Sequence, residues 1–341
     1  MLAASKLTAI RALRGAILAP LFALLAAIKP ERPNVYFGGQ AVMEGVMIRG
    51  PQHMAVAVRH PKGHIVRHAE RLEGWVYTGP VRKIPLIRGM LVLWETMALG
   101  MRSLSYSSRI AFEDDGSGTA EESEFPEKVF WGAMAFALVF VIGVFFAGPI
   151  LLAHLLERLD LARLWIVLVE TVVRLGMFVA YIALIGRMKE IRRVFQYHGA
   201  EHMTIHAYEA GKPLDVAAIR PFPKEHQRCG TSFLLVVIMV ALVTFFIFDL
   251  LVDEGLIIRV ASRIVFVPLI AGVAYEILRF GARFNTNPVV KAMFVPNILL
   301  QGLTTKVPDD SQIEVAIASF ESVLEVTGLA PAAATVAAEA G

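Results

Sequence analysis

The chain holds one cysteine, Cys229, in 341 residues, so no disulfide can form within it and the thiol is either buried or functional. Charge is also scarce. Asp, Glu, Lys and Arg make up 18% of the chain, against about 25% in an ordinary soluble domain. From Val129 to Leu156, VFWGAMAFALVFVIGVFFAGPILLAHLL, charge is missing altogether. No repeat shows at a fixed period, and no DNA- or RNA-binding motif is present. The net charge of +3 comes from an uneven distribution, not from a generally basic chain, so nucleic acid is not an expected partner.

Apolar residues are what the chain has in excess: 56%, against about 45–50% in soluble domains. They are gathered in blocks longer than a soluble core helix needs, which points to the lipid bilayer as the surrounding medium. The stretch Val129 to Leu156 exceeds the roughly 30 Å hydrocarbon core at about 1.5 Å per helical residue. Further spans are expected at about Leu161 to Ile185, Ser232 to Val252 and Leu256 to Phe280. In the second, Glu170 and Arg174 stand at i,i+4 and can pair on one face. In the fourth, Arg259 can snorkel to the near interface, and Arg263 is expected to reach the same one.

Loop charges set the orientation. Between the second and third spans lie Arg187, Lys189, Arg192, Arg193, Lys212, Arg220, Lys224 and Arg228, whereas the next loop has Asp249, Asp253 and Glu254 and no Lys or Arg. Positive-inside places the first loop in the cytoplasm. Residues 1–112 agree, with 15 Lys plus Arg against 5 Asp plus Glu. The expectation is a mainly α, polytopic inner-membrane protein with four spans, both termini cytoplasmic, and a small β-containing cytoplasmic domain.

Boundaries follow from shifts in pattern. Residues 1–33 read as an amphipathic helix on the inner leaflet; a signal peptide fits less well, because Pro20 interrupts the apolar run and no small-x-small cleavage site follows. Residues 34–84 alternate in short runs between Gly-Gly, Arg-Gly-Pro and Pro-Lys-Gly, the pattern of a small sheet with tight turns. Residues 85–112 form an interfacial helix with a large apolar face, and 113–126 are an acidic linker. The transmembrane part is 127–284, with a His-rich cytoplasmic loop at 187–231. Residues 285–308 form an interfacial segment in which Pro288 and Pro296 break the apolar run. Residues 309–341 give a terminal helix and an Ala-rich tail, the helix packing on the cytoplasmic domain or on a second copy of the chain.

Four of the nine histidines fall between His198 and His226. If helix runs on from the second span, His198 and His202 share a face with Glu201 beside them. This H-x-x-E-H is the inverted zincin pattern: two imidazoles for a divalent cation and a carboxylate able to take a proton from water. His206 extends the row, but at about 12 Å from His198 along the axis it cannot reach the same ion on a straight helix. The nearest further donors are His226 and Cys229, spaced H-x-x-C. A thiolate would favour zinc, and an all-His and carboxylate set would be less selective. Interfacial histidines plus one buried thiol are the plain alternative, and a bis-histidine haem site a lesser one. Glu44, the single acid between Glu31 and Glu70, could serve a metal or substrate, or pair with Arg49 or Arg88 to hold the sheet to the membrane part.

Five ordered strings, GGQAVMEGVMIRGP (Gly38 to Pro51), IPLIRGM (Ile84 to Met90), YHGAEH (Tyr197 to His202), RCGTSF (Arg228 to Phe233) and LQGLTTKVP (Leu300 to Pro308), resemble those of the DUF1385 family, YqhQ-like bacterial membrane proteins predicted to be metal-dependent enzymes. The resemblance runs from Val35 to Pro308 and points to Glu44, Arg49, His198, Glu201, His202, His226, Cys229, Gln301, Thr304 and Thr305. The chain departs from the family pattern at Met203, Gln227 and Lys306-Val307, none of them a proposed ligand. The resulting expectation is a metal site, zinc by preference, with His198 and His202 as ligands, His226 or Cys229 as the third, and Glu201 as general base in hydrolysis of a peptide or lipid-linked bond. His206, Glu44, Arg49, Gln301, Thr304 and Thr305 are accessory candidates. A non-enzymatic membrane scaffold is the rival, and a transporter using Glu170, Arg174 and Glu276 a third reading.

Overall fold

A computed structural model describes residues 37–73, 84–112, 132, 135–137, 139–140, 143–159, 161–226, 230–252, 256–284 and 287–329. The N-terminal segment 1–33, the acidic linker 113–126, Cys229 and the Ala-rich tail lie outside them.

The sheet is an antiparallel meander in the order β1 (Gly38–Val42), β2 (Gly45–Arg49), β3 (His53–Arg59) and β4 (Ile65–Arg71). Two residues, Met43 and Glu44, join β1 to β2, with Val42 opposite Gly45. Glu44 takes a φ of 49° there, a left-handed conformation that costs a side-chain-bearing residue and is kept where the surroundings enforce it. The β3–β4 turn places Gly63 at φ 90°, which only glycine adopts freely.

Both faces of the sheet are covered, which explains why MAVAV in β3 is continuously apolar instead of alternating. Val46, Ile48, Ala55 and Ala57 face two helices, α4 (Lys189–Glu209) and α9 (Asp310–Thr327), and share a core with Tyr197, Ala200, Ile313 and Phe320. Met47, Met54, Val56 and Val58 face α1 (Ile87–Ala111), meeting Leu99 and Ile110. Each fully buried aliphatic side chain here contributes about 1.5–3 kcal/mol. An Asp309–Gln312 capping box starts α9, Gly328 in the left-handed region ends it, and the Ser319 hydroxyl donates to the Ala55 carbonyl at 3.1 Å.

Among the described residues, three helices are long and apolar enough to cross a membrane: α3 (Arg163–Ile185), and the stretches Phe233–Leu251 of α6 (Gly230–Leu251) and Ala261–Gly281 of α7 (Leu256–Arg283). Trp165, Leu168 and Val172 on α3, Val243 and Ile247 on α6, and Ile264 and Val265 on α7 are exposed. That is the inverse of a soluble fold and suits helices facing lipid. The expected span 129–156 is described in pieces, at 132, 135–137, 139–140 and 143–156. Its described end is a π-helical turn, Gly143–Ala147, followed by α2 (Gly148–Leu156). Four spans are therefore not established; three candidates are.

Arg263 does not snorkel. It is 2% exposed, bonds Asp249 at 2.5 Å, approaches Glu170 at 3.7 Å and stacks on Phe245. Glu170 bonds Arg174 at 2.5 Å on its own helix, so one polar cluster ties α3, α6 and α7 together. Arg163 donates to the Asp249 carbonyl at 2.6 Å, satisfying a backbone acceptor near the end of α6. The first turns of α1 cross α7 where glycines permit it: a Cβ on Gly89 would stand 2.7 Å from Tyr275 Cβ and 3.0 Å from Gly272 Cα. Arg88 binds Glu276 beside this crossing, at 2.6 Å through Nε. Ile87, Met90, Trp94 and Met97 lie on the outer side of α1, exposed.

Helix does not run unbroken from the second expected span into the histidine motif. Gly186 caps α3, Met188 is extended, and α4 begins anew at Lys189. The C-terminal apolar segment is also more regular than its prolines suggest. Asn287 caps α8 (Pro288–Thr304), and Pro288 sits where its missing N–H costs nothing. Helix continues through Pro296, carrying Gln301 and Thr304 to the histidines.

Candidate metal centre

The site is built on the last turns of α4, a polar helix with an unusually buried face: Tyr197 to Ile205 are all buried. The sheet and α9 cover one side of it. Extended chain after α8 covers another, with the Lys306 amide donating to the Phe195 carbonyl at 2.8 Å. A Cβ on Gly199 would stand 2.1 Å from the Lys306 carbonyl oxygen, so glycine is what lets the two backbones meet. The segment 220–226, which follows the short helix α5 (Val216–Ile219), closes the remaining side.

His198, Glu201 and His202 are 5%, 1% and 0% exposed, and one ligand atom from each lies within 4.8 Å of the others. The two rings meet edge to face at 4.3 Å. His198 Nδ1 lies 2.9 Å from the Thr304 carbonyl and His202 Nδ1 2.6 Å from the Lys224 carbonyl. A carbonyl oxygen can only accept, so each ring carries its proton on Nδ1 and keeps its lone pair on Nε2. This is the outer support by which proteins fix metal-ligating imidazoles. His202 Nε2 is fully buried and, among the described residues, has no hydrogen-bond partner. A buried acceptor in that state is costly, and a cation would relieve it. The donor set thus fits a divalent ion and by itself does not choose among metals.

A second group lies further along α4: His206, Glu209 and His226, again with ligand atoms within 4.8 Å of one another. His206 Nε2 donates to the Glu225 carbonyl at 2.8 Å, and His226 Nε2 lies 3.4 Å from Glu209 Oε2. Burial lowers the His226 pKa below its ordinary value, opposed by Glu209, with the neighbouring His206 and His202 pushing the same way as burial. His226 sits between the groups, its ring 5.8 Å from that of His202 and 4.4 Å from that of His206. Its ligand atom groups with those of His206 and Glu209, while His198 and His202 group with Glu201. Cys229, the other expected donor, lies outside the described residues.

The accessory candidates divide. Gln301 Nε2 donates to the His226 carbonyl at 2.9 Å and Gln301 Oε1 accepts from the His226 amide at 3.0 Å, a two-way clamp on that backbone. The Thr305 hydroxyl donates to the Gln301 carbonyl at 2.9 Å, and Thr304 supplies the carbonyl that orients His198. These residues position the histidines. Glu44 and Arg49 stand apart from them. Arg193 forks onto the Glu44 carboxylate, through Nη2 at 2.6 Å, and Tyr197 donates to it at 3.2 Å. Burial, then the Glu44 charge, push the Tyr197 hydroxyl pKa well up. Arg49 binds Glu95, and Arg88 binds Glu276, so neither is the partner of Glu44. Sequence reasoning missed Glu209, although the signal was there: His206 and Glu209 repeat the His-x-x-Glu spacing of His198 and Glu201.

Gly39 completes the first group from the sheet. A Cβ there would stand 3.0 Å from Glu201 Oε1 and 2.3 Å from the Met47 carbonyl oxygen. The GGQ string thus serves the histidine motif directly.

Residues 84–326 match the family described as "Protein of unknown function (DUF1385)". The chain is 32% identical over 314 residues to a protein named "Uncharacterized protein YqhQ" from Bacillus subtilis (strain 168), covering 88% of this chain and 96% of the relative. No solved structure matches. With a family match over most of its length and a relative covered nearly end to end, the chain belongs to the DUF1385 family.

Proposed function

We propose that the protein is a metal-dependent enzyme of the bacterial inner membrane, holding a zinc ion on His198 and His202 at the cytoplasmic face and hydrolysing a peptide or lipid-linked bond. The observation that carries the metal is His202: the Lys224 carbonyl fixes its ring, its buried Nε2 has no hydrogen-bond partner among the described residues, and ligand atoms of His198, Glu201 and His202 lie within 4.8 Å of one another. The cytoplasmic placement rests on the basic loop 187–231, which carries this site, and on the acidic loop at the other end of α6. A zinc ion there would supply Lewis-acid activation of water. Glu201, held against Gly39, accepts the water proton on its carboxylate. Gln301, Thr304 and Lys224 orient the imidazoles, and the sheet with α9 excludes bulk water.

Purified full-length protein in lipid nanodiscs, dialysed against trace zinc, should hold metal that the double variant His198→Ala, His202→Ala does not hold at this site. Metal content unchanged by the double substitution overturns the reading. A scaffold without turnover is favoured by a different observation: Glu44, Arg49 and Arg88 all join the sheet or α1 to other helices as ion pairs. Glu201→Gln separates the two, since a scaffold tolerates it and an enzyme using Glu201 as base does not.

A further inference from the structure

We infer that His206, Glu209 and His226 form a second cation site, so that α4 carries a two-metal centre; this rests on the metal reading of the first group and extends it. Three observations converge on it. The donor atoms lie within 4.8 Å of one another, as in the first group. His206 Nε2 donates its N–H to the Glu225 carbonyl, as the Nδ1 atoms of His198 and His202 donate to the Thr304 and Lys224 carbonyls, so the same orienting device recurs three times along one row of imidazoles.

The third observation is the spacing of His226 and Glu209. Their atoms stand 3.4 Å apart, longer than the roughly 2.7–2.9 Å of a charge-assisted hydrogen bond. Two donors each about 2.0–2.1 Å from a tetrahedral ion stand about 3.3 Å apart. The separation therefore suits ligands of one ion better than a closed ion pair. The His226 backbone is clamped on both its amide and its carbonyl by Gln301, which holds the ring at this position. Its ring is also next to His202, which makes the two sites neighbours.

The sites differ in access. The first group is closed, all three residues buried, whereas the Glu209 side chain is 28% exposed and His206 is half-buried. The second ion would face water at the cytoplasmic surface and exchange faster. Its ligands, two imidazoles and one carboxylate, are the set that leaves a position open in catalytic zinc sites. A substrate would accordingly approach the two-metal centre from the Glu209 side.

The test is metal stoichiometry on full-length protein in nanodiscs, with Co²⁺ as the only added metal, read by elemental analysis and by visible absorption. Wild type should bind about two equivalents, and Glu209→Gln and His206→Gln about one each. Glu209→Gln is isosteric and at a half-exposed position, so it folds even where a ring substitution does not. One equivalent in wild type, lost in His202→Ala and kept in Glu209→Gln, overturns the second site and leaves the first. One equivalent lost in Glu209→Gln and kept in His202→Ala overturns the first and leaves the second. No bound cobalt in wild type overturns both.

Discussion

Gly39 on β1 and Glu201 on α4 are in such close contact that a side chain at position 39 would stand 3.0 Å from the carboxylate. The sheet therefore forms one wall of the histidine site, and the position of the Glu201 carboxylate depends on a residue 162 positions earlier in the chain (201 − 39). This explains why strings far apart in the sequence belong to one functional unit.

Gly39→Ala should consequently damage both stability and the site. Its Cβ meets the Met47 carbonyl oxygen at 2.3 Å, and backbone cannot yield as a flexible side chain can. Overpacking of this kind costs about 1–3 kcal/mol. Thermal unfolding in detergent should show the loss, together with weaker metal binding. A control at Gly38, where an added Cβ meets nothing within 4 Å, should leave both unchanged.

Gln301→Leu should weaken metal binding without unfolding the protein. It removes both hydrogen bonds to the His226 backbone while keeping volume in the core. Loss of an outer support typically costs about 10–100-fold in metal affinity. Competition with a fluorescent zinc chelator measures it, and an affinity equal to wild type would show that Gln301 does not position His226.

Local periodicity made part of this site legible and could not show the rest. His198, Glu201 and His202 lie within five residues on one helix, so spacing alone brings them together. His226 reaches the site from a loop, Gln301 arrives from 75 residues further on, and Glu44 finds Arg193 across 149, separations at which one sequence carries no pairing signal. Two turns of the sheet were legible because they are written in Gly and Pro, whereas the Gly38-Gly39 pair lies within β1 and the first turn falls at Met43 and Glu44. Pro296 misled because an apolar helix packed on others tolerates a proline that an isolated one would not. Arg263 misled for a related reason: a lone arginine near a span end is expected to reach water, but Asp249 and Glu170 on neighbouring helices supply partners inside.

That cluster yields its own prediction. Arg263→Leu leaves the buried Asp249 carboxylate without its guanidinium, and breaking a buried pair from one side costs about 3–5 kcal/mol. The double variant Arg263→Leu, Asp249→Leu removes both charges and should recover much of the loss. Thermal inactivation in detergent for the two single variants and the double gives the coupling. Additive effects would show that the pair does not act as a unit.

The cation-free protein should lose stability as pH falls below about 6.5, and His226 supplies the sign. Burial lowers its pKa in the folded state, so between that lowered value and the ordinary 6.5 the unfolded chain takes up a proton that the folded chain refuses. Proton uptake by the unfolded state favours unfolding. The stability contributed by keeping His226 neutral is thus complete above pH 6.5 and declines steadily below it, levelling off once the folded-state pKa is passed. Metal sharpens the slope, because neutral imidazoles must give up the ion to be protonated. The midpoint of thermal unfolding, followed from pH 8 to 5 in chelator, should fall in wild type and fall less in His226→Gln, whose side chain does not titrate. Equal slopes for the two proteins would assign the acid sensitivity to groups other than His226.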